Sequence, residues 1–234
     1  RRCVALMRVL ITRPLRDAQS TELALRERGH EAVLSPVLEI VGTGASISGT
    51  WDGVIATSAQ VFDHLDVALR DKLRHLPLFT VGTRTAQAAS ANGFGTPQLI
   101  APQAIELVKM LAEHPPQNLL YLAGQDRKSE LEDGLAAQGH HVTPLVIYEA
   151  RAANSLTPEA LEALRAQKLD AVLHYSRRSA DLFRRLAEQA DLADALNQLR
   201  HICISRDAAE ALTQPCAIAK TPDQEGLFAT LELR

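Results

Sequence analysis

Four short sequence units occur twice, in the same order, and that duplication constrains this 234-residue chain more than any other feature. Trp51-Asp52-Gly53-Val54-Ile55-Ala56-Thr57-Ser58 returns as Leu169-Asp170-Ala171-Val172-Leu173-His174-Tyr175-Ser176. Val81-Gly82-Thr83-Arg84-Thr85-Ala86-Gln87-Ala88 is echoed by Ile204-Ser205-Arg206-Asp207-Ala208-Ala209-Glu210-Ala211. Ile100-Ala101 ahead of Glu106-Leu107-Val108 has its counterpart in Ile218-Ala219 ahead of Gly226-Leu227-Phe228. Gly29-His30-Glu31 leading to Pro36 matches Gly139-His140-His141 leading to Pro144. Chance accounts for one such match. Four in order indicate an internal duplication of roughly 110 to 120 residues, and therefore two domains of one design.

Within each copy, short apolar runs alternate with amphipathic stretches. Arg8–Thr12, Gly53–Ala56, Leu78–Val81, Leu119–Leu122, Ala171–His174, His201–Ile204 and Ala217–Ala219 have the length and polar flanks of buried strands. Asp17–Arg28 and Pro158–Gln167 carry helical spacing, and Thr157-Pro158 supplies an N-cap followed by proline at the first helical position. Gly29, Gly93 and Gly139 follow helical stretches, where glycine accepts the left-handed conformation that ends a helix. Strand–helix–strand repetition of this kind predicts parallel sheets covered on both faces. Two β-rich passages, Glu31–Val41 and His141–Ala150, stand where the chain could cross between domains; a head-to-tail pair split near Pro115-Pro116 is the other arrangement.

Composition narrows the function classes. A net charge of −3 and 4% aromatic residues disfavour a nucleic-acid binder, which needs positive charge and stacking platforms, and give no global attraction to an anionic membrane. No apolar stretch reaches the roughly 18 residues of a membrane span. Cys3, Cys203 and Cys216 form neither a disulfide framework nor a zinc signature and suit a reducing compartment, so the expected location is the cytoplasm. Met7 is a candidate natural start, with residues 1–6 a leader remnant. No long apolar patch or heptad suggests an obligate interface, which makes a monomer the expectation.

In open parallel sheets ligands bind beyond the carboxyl ends of the strands. There this chain places Thr12-Arg13-Pro14, Thr57-Ser58, Thr83-Arg84, Gly124-Gln125-Asp126-Arg127-Lys128, Ser176-Arg177-Arg178 and Ser205-Arg206. Taken singly the hydroxyls are ordinary helix caps. Together with Arg13, Arg84, Arg127, Arg177 and Arg206 they suit an anionic ligand, because hydroxyls, guanidinium groups and helix N-terminal amides all donate to carboxylate or phosphate. No dinucleotide or phosphate-loop glycine motif, nucleophile elbow or zinc-protease motif is present. Strand alternation would point His140 and His141 to opposite faces, against a shared metal, and His174 is read as a packed or surface histidine. A non-catalytic two-lobed binding protein or sensor for an anionic metabolite is the alternative to an enzyme. A glycosyltransferase-like reading lacks a phosphate loop or metal-binding acidic pair.

Val9-Leu10-Ile11-Thr12-Arg13-Pro14, Asp52–Ser58, Val81–Ala86, Leu145-Val146-Ile147-Tyr148-Glu149 and Asp170–Ser176, in this order and spacing, resemble the uroporphyrinogen-III synthase family over essentially the whole chain. The resemblance implies two flavodoxin-like α/β domains with parallel sheets covered by helices, joined by a two-stranded β linker. It assigns residues 1–37 plus 151–234 to a discontinuous first domain, 46–143 to the second, and 38–45 with 144–150 to the linker. It implies a cofactor-free lyase, without a metal, that dehydrates and cyclises hydroxymethylbilane to uroporphyrinogen III with inversion of the last ring, in heme biosynthesis. Its substrate would come by transfer from the upstream bilane-forming enzyme. The bilane is electron-rich enough to expel hydroxide by itself and closes without help to the un-inverted isomer, so the enzyme's task is mostly positioning. Tyr148 is nominated by the family pattern to assist the departure of hydroxide. Arg13, Thr57, Ser58, Thr83, Arg84, Ser176, Arg177, Ser205 and Arg206 are carried over as substrate-binding candidates. Where the family often has a Gly-Pro-Thr-Thr-like turn this chain reads Ser205-Arg206-Asp207-Ala208, which leaves Ser205 or Arg206 to replace a threonine contact.

Overall fold

The computed structural model of the protein describes residues 6–233; Cys3 and the opening Arg1–Ala5 lie outside the described residues. The chain divides into two compact units, one running from Ile40 to Ala150 and the other built from the segment ending at Glu39 and the segment beginning at Arg151. The boundary therefore does not fall at Pro115-Pro116, and the chain passes from one unit to the other twice.

The discontinuous unit begins with β1 (Arg8–Ile11), α1 (Leu15–Glu27), β2 (Glu31–Leu34) and the start of β3 (Leu38–Gly42). In the other unit, after β3, come β4 (Gly53–Ala56), α2 (Gln60–Asp63), α3 (Val67–Leu73), β5 (Leu78–Val81), α4 (Thr83–Ala91), β6 (Leu99–Ala101) and α5 (Ala104–Leu111). It closes with β7 (Asn118–Gly124), α6 (Glu130–Ala137) and β8 (His141–Ala152). The chain then adds to the first unit α7 (Pro158–Arg165), β9 (Ala171–His174), α8 (Arg177–Gln189), α9 (Ala193–Leu196) and β10 (Arg200–Cys203). Last come α10 (Arg206–Ala209), β11 (Cys216–Ile218) and α11 (Gln224–Glu232).

The two sheets have the strand orders β11-β10-β9-β1-β2 and β3-β8-β7-β4-β5-β6, and every pairing from β4 to β8 and within the first sheet is parallel. β4 and β9 are buried along their whole length, as strands covered on both faces must be. Val54, Phe62, Leu69, Leu120 and Ile147 pack on one face of the second unit's sheet, and Ile55, Phe79, Leu107, Leu119 and Leu135 on the other. Val9, Ile11, Leu25, Leu173, Ile202 and Phe228 pack together in the first unit.

The duplication is visible bond by bond. Asp52, just before β4, accepts from the N–H of Asn118 at 2.7 Å and donates its own N–H to the Asn118 carbonyl at 2.8 Å. Asp170, just before β9, does the same to Arg8 at 2.7 and 2.9 Å. His30 and His140 each follow a glycine with positive φ and accept a backbone N–H on Nδ1, from Met7 at 3.3 Å and Gln117 at 3.2 Å. These paired contacts satisfy amides at the strand starts that the ladder leaves open. Gly29, Gly93 and Gly139 have φ of +79°, +83° and +86°, and Thr157 caps α7 by accepting from the N–H of Ala160.

Candidate functional site

In the second unit hydroxyls from three strands form two pairs, one on each face of the sheet. Thr57 and Ser58 follow β4, Tyr121 lies in β7, and Tyr148 lies in β8. Thr57 Oγ1 and the Tyr121 hydroxyl are 2.9 Å apart. The Tyr148 hydroxyl donates to Ser58 Oγ at 3.3 Å, and Ser58 Oγ also accepts the N–H of Gln60 at 3.3 Å. The β7–β8 register slips between Ala123 and Gly124, so that Gly124 rather than its neighbour stands opposite Tyr148. This bulge lays the Tyr148 ring directly on Gly124: a Cβ there would come within 2.6 Å of Cζ and 2.8 Å of the hydroxyl oxygen. His64 flanks the ring, 6.0 Å between centroids. Burial pushes the Tyr121 phenol upward, opposed by its bond to Thr57, so Tyr121 acts as a neutral hydroxyl at physiological pH. Arg127 reaches Glu132 Oε1 at 2.9 Å beside this cluster. Thr83 and Arg84, opening α4 after Gly82 at φ +82°, are exposed.

In the first unit the strand ends carry a guanidinium. Arg13 lies over the Tyr175 ring at 4.1 Å from its centroid, with Nη1 3.2 Å from Thr21 Oγ1 and Nη2 3.4 Å from Asp17. Stacking and fork geometry together fix the orientation of an otherwise flexible side chain. Burial also pushes the Tyr175 phenol upward, with Thr21 and Arg13 opposing. Ser176 caps α8 by accepting from the N–H of Ser179, and Ser205 caps α10 by accepting from that of Ala208. Ala208, which takes the place of the threonine, is buried. Arg206 is exposed. Arg177 is engaged by Glu210 at 3.1 Å and Asp207 at 3.4 Å, which offsets much of the charge it was expected to offer an anion.

Of the expected site residues, then, Ser58 and Tyr148 come together directly, while Thr57 pairs with Tyr121 instead. Thr83 and Arg84 stand on a neighbouring helix start, while Arg13, Ser176, Arg177, Ser205 and Arg206 belong to the first unit. The sequence reading placed Gly124 beyond its strand without giving it a role, and missed Tyr121 and Tyr175. One signal was available for each phenol: Tyr121 interrupts an otherwise apolar strand, and Tyr175 occupies in the repeat the position of Thr57. His174 is fully buried and stacks on His201 with an interplanar angle of 1°. Among the described residues no group of three or more His, Cys, Asp and Glu could hold a metal ion, and no helix is long and apolar enough to cross a membrane.

Comparison with known proteins follows the same line. A family model described as uroporphyrinogen-III synthase HemD matches residues 19–229. The crystal structure of uroporphyrinogen-III synthetase from Helicobacter pylori is similar in fold, with a TM-score of 0.64 at 19% identity, over 98% of this chain and 100% of that one. A mutant uroporphyrinogen III synthase from the extremely thermophilic bacterium Thermus thermophilus aligns over 97% of this chain and 98% of its own at 19% identity, with a TM-score of 0.49. No curated protein matches the chain.

Proposed function

This chain belongs to the uroporphyrinogen-III synthase family, and on that premise we propose that the Tyr148–Ser58 hydroxyl pair beyond β4 is where it assists ring closure. The family's reaction is the dehydration and cyclisation of hydroxymethylbilane to uroporphyrinogen III, with inversion of ring D, in tetrapyrrole biosynthesis. The observation that carries the reading is the seating of Tyr148 on Gly124 with its hydroxyl 3.3 Å from Ser58. A weak acid fixed in this way suits a leaving group that departs almost unaided, while neutral donors beside it hold the chain for the inverted route.

Arg13, held over Tyr175 though partly compensated by Asp17, is a candidate carboxylate anchor, with Thr83, Arg84, Ser205 and Arg206 as further donors, whereas the Ser176 hydroxyl already donates to Ser179 Oγ. Arg177 contributes less, because Asp207 and Glu210 already compensate it. The strands β3 and β8, which pair with one another, serve as the two-stranded connection between the domains. The enzyme works as a cytoplasmic monomer on bilane transferred from the enzyme that makes it. Among the described residues Cys203 and Cys216 are free thiols, which supports a reducing compartment.

The test generates hydroxymethylbilane in situ and separates the oxidised macrocycles by isomer. Wild-type protein shifts the product from type I to type III. Tyr148→Phe lowers the turnover for type III formation more than it raises KM. Unchanged turnover in folded Tyr148→Phe would remove Tyr148 from the mechanism.

A further inference from the structure

A serine hydroxyl has one proton to give and two lone pairs with which to accept. At Ser58 both accepting directions are occupied, by the N–H of Gln60 and by the Tyr148 hydroxyl, each at 3.3 Å. Neither bond uses the serine proton. Tyr148 is in the opposite position, because its single proton already points at Ser58. Nor is its ring free to turn elsewhere: the face of Gly124 leaves no room for even a Cβ, and the Tyr148 carbonyl is held by the N–H of Gln125 at 2.9 Å. Donation from a phenol into a hydroxyl polarises that hydroxyl and strengthens its own donation.

We propose that Ser58 is the group that hands the proton to the departing hydroxyl of the substrate, and that Tyr148 acts by refilling Ser58. The inference rests on the reading of this pair as the site of ring closure and specifies the order of its members. As the carbon–oxygen bond of the hydroxymethyl group breaks, the Ser58 proton passes to the leaving oxygen, which departs as water. The Tyr148 proton moves to Ser58 Oγ, and a phenolate faces the azafulvene cation left on the substrate. Once the last ring has inverted, through one carbon–carbon bond formed and one broken, and the macrocycle has closed at the unsubstituted pyrrole carbon, the proton lost from that carbon returns through Ser58 to Tyr148. One hydroxide and one proton leave the substrate as water, and the enzyme ends as it began. Moving both protons together lets the phenol supply the acidity that a serine alone lacks.

The experiment compares initial rates of type III formation for Ser58→Ala, Tyr148→Phe, the double variant and Ser58→Thr, with folding checked by circular dichroism. The relay predicts that Ser58→Ala and Tyr148→Phe each lower kcat by a similar factor, on the order of 100-fold, with little change in KM. It predicts that the double variant is no slower than the slower single variant, because both remove one pathway. Ser58→Thr keeps the hydroxyl and restores most of the rate. Slow Tyr148→Phe beside Ser58→Ala within twofold of wild type would overturn the relay and leave Tyr148 as a direct donor. Multiplying losses in the double variant, or a Ser58→Thr as slow as Ser58→Ala, would also overturn it, by showing a packing role for Ser58. Tyr148→Phe at the wild-type rate would sink the parent reading instead.

Discussion

Acid should loosen this protein through one buried histidine. The Leu196 carbonyl can only accept, so His201 Nε2, 2.9 Å away, must carry a proton; neutral His201 then accepts on Nδ1 from His174 Nε2 at 3.0 Å. That leaves His174 Nδ1 as a bare acceptor, fully buried and without a partner among the described residues. Burial, and secondarily the neighbouring His201, pushes the His174 pKa from 6.5 down to about 3. The folded value lies below the unfolded one, so as pH falls through 6.5 the unfolded chain takes up a proton that the folded chain refuses. Stability is level above about pH 7 and declines below it. At about 1.4 kcal/mol per unit, the loss between pH 7.5 and pH 5.0 is about 2 kcal/mol from His174 alone. His201, lowered chiefly by burial, adds in the same direction. That is a large share of the roughly 5–15 kcal/mol that holds a domain folded. Urea unfolding followed by far-UV circular dichroism at the two pH values reads the loss, and the same pair of measurements on His174→Gln provides the reference. The variant should lose clearly less on acidification, whatever its stability at pH 7.5. Equal losses in the two proteins, or a wild type indifferent to pH 5.0, would refute the argument.

Three further outcomes follow from contacts described above. Gly124→Ala should fold at a cost of about 1–3 kcal/mol and lose most type III synthesis, because its Cβ displaces the Tyr148 ring; a fully active variant would show that the ring's seat does not matter. Tyr121→Phe and Thr57→Val should have coupled effects on KM and turnover, since each leaves the same 2.9 Å bond broken; independent, additive effects in a double-mutant cycle would contradict this. Asp52→Ala and Asp170→Ala should each cost about 1 kcal/mol in denaturant titrations, and by similar amounts, because they remove equivalent bonds at two strand starts; a large difference would mean that the repeat is not energetically equivalent.

The duplicated α/β design was legible in the sequence because it is written in local terms. Apolar runs mark strands buried on both faces, and glycines with positive φ mark helix ends. Aspartates and histidines recur at strand starts because the same open amides recur there. Even Thr57, Ser58 and Tyr148 could be singled out, partly from strand-end position and partly from family resemblance. What no local pattern contains is their pairing. Tyr148 finds Ser58 across 90 residues and Tyr121 finds Thr57 across 64, through the order in which β4, β7 and β8 pair and a register slip at Gly124. The same holds for Arg177, whose charge looked available until α10 placed Asp207 and Glu210 beside it. Sequence thus determined which elements form and which end of each sheet carries the polar residues, since hydrophobic burial and backbone satisfaction act over a few residues at a time. Tertiary structure decided which hydroxyls share protons and which cations remain uncompensated, because those depend on distances set by strand pairing far along the chain.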